Sequence, residues 1–166
     1  MKFISNQKAL TSEFERLCSQ YSKYKFAVAW AGYGFNMEKI LWKNKSKIEN
    51  AIVGLHFYQT SPDFIEKYLL EDSVRYIKQT DGTFHTKIYL FYNSVEEWEV
   101  LVGSGRSLDE NLKYSVFLLH SRLLAIACTS TFVLALGLVE YIAQCEADTS
   151  VRFDFPLHGT STIIHG

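Results

Sequence analysis

His85 and Lys87 stand two residues apart at the head of an apolar run, Ile88-Tyr89-Leu90-Phe91-Tyr92. Side chains alternate with period two along a strand, so an extended backbone sets this imidazole and this ammonium side by side on one face. The pair suits phosphate chemistry. Imidazole can attack phosphorus or deliver a proton near neutral pH, and lysine offers a compact positive charge to phosphate oxygens. After a short acidic turn a second apolar stretch, Glu99-Val100-Leu101-Val102, ends in Gly103-Ser104-Gly105. Several other site patterns are missing. Gly32-Tyr33-Gly34 lacks the third glycine of a dinucleotide fingerprint, there is no Walker loop, and Gly103-Ser104-Gly105 lacks nucleophile-elbow spacing. Cys18, Cys128 and Cys145 are far apart, and His120, His158 and His165 have no ligand-like spacing. We therefore expect neither a cofactor nor a bound metal.

The elements that must hold such a pair can be read from periodicity. Leu10, Phe14, Leu17 and Cys18 recur at helical spacing within residues 6–21, and residues 25–31 form a short apolar strand punctuated by Gly32 and Gly34. Asn36 is placed to cap a helix running to about residue 48, followed by a strand at 51–55. Ser61-Pro62-Asp63 opens a helix to about residue 69, with proline at its first position, and 73–77 reads as a strand. The strand headed by His85 and the one at 98–102 make a hairpin-like pair. Residues 114–119 read as a strand, 131–146 as a helix and 151–155 as a last strand. Alternating helices and strands followed by a hairpin predict one α/β domain over residues 1–166. Its sheet is expected to be mixed and mostly parallel, with helices on both faces.

Composition sets limits on function. At 166 residues the chain is long enough to bury roughly two thirds of its unfolded surface, and 48% hydrophobic with 21% charged residues is ordinary globular usage. A net charge of −1 argues against coating nucleic acid by bulk electrostatics, yet residues 1–50 carry nine Lys or Arg against four acids. Lys39, Lys43 and Lys47 would form one helical stripe with Lys45 to its side, either a solvated face or a face for phosphate. Thinly spread thiols and the lack of a leader-like start predict a cytoplasmic protein. Residues 123–139 are uncharged, but Thr129-Ser130-Thr131 interrupts them like a turn with a helix cap, so a membrane partner is not expected.

Taken together, F-H-x-K before an apolar run and a later strand ending in V-G-S resemble the phospholipase D superfamily, whose signature is H-x-K, a downstream aspartate, and G-S-x-N (the HKD motif). The closest likeness in pattern is to small bacterial nucleases and to restriction-enzyme or helicase-associated modules, over about residues 5–120. The resemblance implies a metal-independent phosphodiesterase, most naturally a nuclease. Two H-x-K motifs would meet across a homodimer, one histidine forming a phosphohistidine and the other protonating the leaving oxygen. It assigns His85 as nucleophile or acid/base partner, Lys87 as a holder of phosphate oxygens and Ser104 as a hydrogen-bond donor to them. The departures are specific. Tyr92 stands at the aspartate position, Arg106 at the asparagine position, and Ser115 near the place of a following glutamate. Arg106 can still bind phosphate with its bidentate fork, and Asp109 or Glu110 can orient His85. Arg106, Lys39 and Lys43 are thus the candidates for further substrate contacts.

Other readings stay open. The same fold could be a catalytically weakened module that binds nucleic acid or protein, or that mediates dimerisation. A lipid phosphodiesterase at a membrane is a more distant alternative. His56, ending a strand, could line the same cleft or be an ordinary structural histidine. Trp30, Tyr33, Phe35 and Trp42 could stack on bases, although core packing suits them better.

Overall fold

A computed structural model describes residues 2–78, 84–104 and 115–120. Asn6 starts helix α1 (Gln7–Gln20), its side-chain oxygen accepting from the Ala9 amide at 2.9 Å, a cap that contributes about 1 kcal/mol. The predicted stripe of Leu10, Phe14, Leu17 and Cys18 is buried along this helix. Strand β2 (Lys23–Val28) follows; it is preceded in the chain by β1 (Lys2–Ile4), a three-residue strand without a readable sequence signal. Helix α2 (Asn36–Lys43) begins with Asn36 as its first helical residue rather than its cap. It ends short of residue 48, where the Asn44 side-chain amide donates to the Ile40 carbonyl at 2.9 Å. Strand β3 (Ile48–Gly54), helix α3 (Pro62–Tyr68), with proline at its start, and β4 (Val74–Ile77) come next. The chain then adds β5 (Lys87–Tyr92), β6 (Trp98–Ser104) and β7 (Ser115–His120). The helix predicted at 131–146 and the strand at 151–155 lie outside the described residues.

The strands form one sheet in the order β1-β7-β6-β5-β2-β3-β4. It is mixed, as expected, but parallel pairing does not predominate among the described strands. Only β2–β3 and β3–β4 are parallel, while β1–β7, β6–β7, β5–β6 and β2–β5 are antiparallel. The reason is connectivity: a parallel neighbour needs a crossover, and α2 and α3 supply one each.

Strand β5 lies between β6 and β2, so both of its edges are paired, and its side chains divide by parity between the two faces. Tyr89 and Phe91 join Tyr24, Phe26, Val53 and Tyr76 beneath Phe14, Leu41 and Phe64 of the three described helices, which all pack on this one face. Phe14 meets Tyr89 and Phe91 edge-on, with centroids 5.4 and 5.6 Å apart, contacts worth about 1 kcal/mol each beyond burial. On the opposite face Ala27, Ile52, Ile77 and Phe84 form one buried cluster, and Leu90, Trp98 and Val100 another. No helix among the described residues is long and apolar enough to cross a membrane; the 123–139 segment lies outside them.

Candidate active site

Strand direction gathers the predicted chemistry at one end of the sheet. The parallel strands β2, β3 and β4 finish together at Val28, Gly54 and Ile77, and β5, antiparallel to β2, starts there with Lys87 opposite Val28. The Ala29 amide continues the pairing by donating to the Thr86 carbonyl at 2.7 Å. In β6, Ser104 lies two residues beyond the Val102–Ile88 pair, level with Thr86, and Ser115 of β7 pairs with Ser104. This rim therefore brings together the backbone positions of His85, Lys87, Ser104 and Ser115. Carboxyl ends of parallel strands are where open α/β sheets form their crevices.

At the rim His85 is exposed and Lys87 is buried. The Lys87 Nζ lies 3.4 Å from His85 Nδ1 and 3.5 Å from Nε2, and it donates to the His85 carbonyl at 3.2 Å. Near-equal distances place the ammonium between the two ring nitrogens rather than on either lone pair. It also sits 4.9 Å from the centre of the Trp30 ring, a cation–π contact. That ring in turn meets the His85 imidazole edge-on at 5.1 Å. Burial pulls the Lys87 ammonium below the usual lysine range, because removing a charge from water disfavours the charged form. Among the described residues no carboxylate contacts either His85 or Lys87. The arrangement is thus a desolvated cation beside an accessible imidazole, suited to receiving an anion.

Trp30, which the sequence offers for base stacking but suits better to core packing because it adjoins an apolar run, lies against both His85 and Lys87. It is half-buried, and its Nε1 donates to the His56 carbonyl at 3.0 Å. His56 thus joins the rim through its backbone, while its ring lies near Phe84, with Nε2 buried and without a hydrogen-bond partner among the described residues. Close approach of the strands beneath this cluster depends on Gly54. A Cβ there would lie 2.5 Å from the Ala29 carbonyl oxygen and 3.0 Å from Cδ1 of Phe84, the residue preceding His85.

The remaining predicted positions divide. Lys39 and Lys43 are exposed on α2. That helix runs from the rim to the other end of the sheet, where the Tyr24 hydroxyl, near the start of β2, donates to the Asn44 carbonyl at 3.3 Å. Lys43, next to Asn44, is therefore not brought to His85, and Lys39 lies a turn nearer the rim. Lys45 and Lys47 are used elsewhere: Lys45 pairs with Glu71, and Lys47 donates to the Cys18 and Tyr21 carbonyls at 2.6 and 3.1 Å. Trp42 packs edge-on against Tyr68. Arg106, Asp109 and Glu110 lie outside the described residues. Tyr92 stands at the far end of β5, opposite Lys23 and Trp98, and its hydroxyl donates to Glu49. A tyrosine at this aspartate position therefore takes nothing from the rim.

Solved structures similar to this chain include two that superpose over most of its length. The phospholipase D family member Nuc from Salmonella typhimurium superposes with a TM-score of 0.57 at 10% identity, over 90% of this chain and 96% of Nuc. The fold is phospholipase D-like. TrmBL2, an archaeal chromatin protein whose structure shows a novel mode of DNA binding, gives a TM-score of 0.52 at 12% identity, over 87% of this chain. The chain spans about half of TrmBL2, 52% of its length. No protein-family model and no curated protein matches the chain. On this phospholipase D-like frame, His85 and Lys87 head a central strand, flanked by pairing partners that fix their direction.

Proposed function

We propose that the chain is a phosphodiesterase acting on nucleic acid without a metal, with His85 as its nucleophile. The observation that carries the reading is the desolvated Lys87 ammonium held within 3.5 Å of both nitrogens of an exposed imidazole, with no carboxylate to neutralise it among the described residues. A phosphodiester fits both groups. A His85 nitrogen attacks phosphorus while Lys87 and Ser104 hold the non-bridging oxygens, the P–O ester bond breaks, and the leaving oxygen takes a proton. Water then cleaves the phosphohistidine and restores the imidazole, two easier steps replacing one difficult one. Displacement at phosphorus keeps attacking and leaving groups in line, so one imidazole cannot both attack and protonate on the opposite side. A second copy of the chain supplies the other His85 in this proposal. Arg106 and Lys39 are candidates for flanking phosphates.

Assays on DNA and on bis(p-nitrophenyl) phosphate with chelator present test this reading, alongside the mass in solution. Turnover by a dimer that disappears in His85→Ala is the expected result. Activity that survives this substitution, or that vanishes with chelator, overturns the proposal.

One observation favours a second reading, a non-catalytic nucleic-acid module: no carboxylate among the described residues orients the His85 ring. An inert protein that binds DNA with an affinity falling steeply with salt would establish it.

A further inference from the structure

The turn after β3 carries two aromatic side chains that the core does not use. Phe57 and Tyr58 are 66% and 99% exposed, and both hold left-handed backbone, with φ of 55° and 54°. Bulky residues rarely adopt this conformation; it persists where the surroundings over-determine it, and such strain gathers at functional sites. Here the surroundings do so. The Leu55 amide donates to the Ile77 carbonyl at 2.8 Å, and the Ser61 amide to the Ala31 carbonyl at 2.8 Å. Thr60 Oγ1 donates to the Gly54 carbonyl at 2.6 Å and accepts from the Ala31 amide at 3.2 Å. The turn's first carbonyl, that of His56, accepts from the same Trp30 indole that packs against His85 and Lys87. A strained, exposed pair of rings is thereby tied to the rim.

We propose that Phe57 and Tyr58 form a stacking platform for an unpaired base of the strand whose phosphate reaches His85 and Lys87. This rests on the nucleic-acid reading above and adds to it a substrate class: single-stranded or locally unpaired strands. Every base presents a π-face, and aromatic stacking accepts all four, whereas the bases of an intact duplex are already stacked and must be displaced. Size argues against a protein partner. Two rings supply roughly 300–500 Å², well below the ~800 Å² per partner of a stable protein interface.

The test uses the full chain with His85→Ala, so that no strand is cut, and single-stranded oligonucleotides carrying 2-aminopurine at successive positions. Quenching at one position is expected. Tyr58→Ala should remove that quenching and weaken binding roughly tenfold, while Tyr58→Trp should keep both. Phe57→Gly separates function from folding: relief of the left-handed strain raises the melting temperature even as affinity falls. Unchanged quenching in Tyr58→Ala, or no binding of single strands by the starting protein, overturns the platform. So does a dimer that Tyr58→Ala turns into a monomer, which would assign the turn to a contact between copies. Hydrolysis of bis(p-nitrophenyl) phosphate is read on the chain with His85 intact, with and without Tyr58→Ala, so loss of the catalytic reading and loss of the platform are distinguishable.

Discussion

At the end of the sheet where β6 begins, the buried carboxylates Glu99 and Glu13 both face cations or donors. Arg16 reaches Glu99 through a two-pronged contact, Nη1–Oε1 at 3.1 Å and Nη2–Oε2 at 2.7 Å, and Tyr21 donates to the same carboxylate at 2.9 Å. Glu13 takes Lys2 at 2.6 Å and Arg16 at 2.5 Å. Burial alone would raise the Glu13 pKa, but hydrogen bonds from these two cations outweigh it and hold the carboxyl below its usual range. At the other end Lys87 is as buried as these carboxylates, yet its neighbours are a carbonyl, an imidazole and an indole. The difference separates two uses of charge. Matched ions fix α1 against β6, whereas an ammonium left with neutral partners keeps its electrostatic capacity for an anion that arrives later.

Substitutions at the two ends should therefore part activity from stability. The largest effect belongs to His85→Ala, expected to lower diester hydrolysis at least about a thousandfold and to leave the melting temperature unchanged, because the side chain is exposed. Lys87→Met should cost roughly a hundredfold in rate, as losing one transition-state donor does, yet stabilise the fold at neutral pH. The sign follows from the lowered pKa. Folding disfavours the protonated ammonium, so the penalty is fully present below the folded pKa and fades as pH rises through it towards the ordinary lysine value. Melting curves of wild type and Lys87→Met should converge in alkali, and a variant that melts lower at neutral pH would break the contrast. Glu99→Ala should do the reverse. It removes one of the two carboxylates that Arg16 holds and the acceptor of the buried Tyr21 hydroxyl, while Glu13 stays on Arg16, at about 1 kcal/mol given that Arg16 is partly exposed, and keeps kcat. Tyr92→Phe, which removes the bond to Glu49, should cost under about 1 kcal/mol and no activity; a large loss of rate would return that position to the site.

Much of this contrast was legible in the chain, and the rest was hidden for physical reasons. Period-two alternation placed His85 and Lys87 on one face, the helical spacing of Leu10, Phe14, Leu17 and Cys18 marked α1, and proline at a first helical position marked the start of α3. These are local signals. Strand β1 was not legible, since three residues pair with β7 more than a hundred positions away, and the balance of parallel and antiparallel pairs was misjudged for the same reason. Lys39 and Lys43 fitted one basic stripe, but α2 crosses from the rim to the other end of the sheet, so it carries Lys43, beside Asn44, away from the site while Lys39 stays a turn nearer to it. Trp30 looked like core because an indole beside an apolar run usually is; only the loop after β2 turns it towards Lys87. Nothing in Phe57-Tyr58 announces left-handed backbone, which ordinarily calls for glycine or asparagine.

The close approach at Gly54 bears on how this chain would drift over generations. Any side chain there would collide with the Ala29 carbonyl oxygen at 2.5 Å, whether or not a phosphodiester is ever cleaved, so position 54 answers to assembly of the sheet alone. His85, exposed at the rim, answers to use. Among descendants of this sequence a lineage that abandoned chemistry would lose the histidine first and keep the glycine. The two positions read together would then date the loss of activity separately from the loss of the fold.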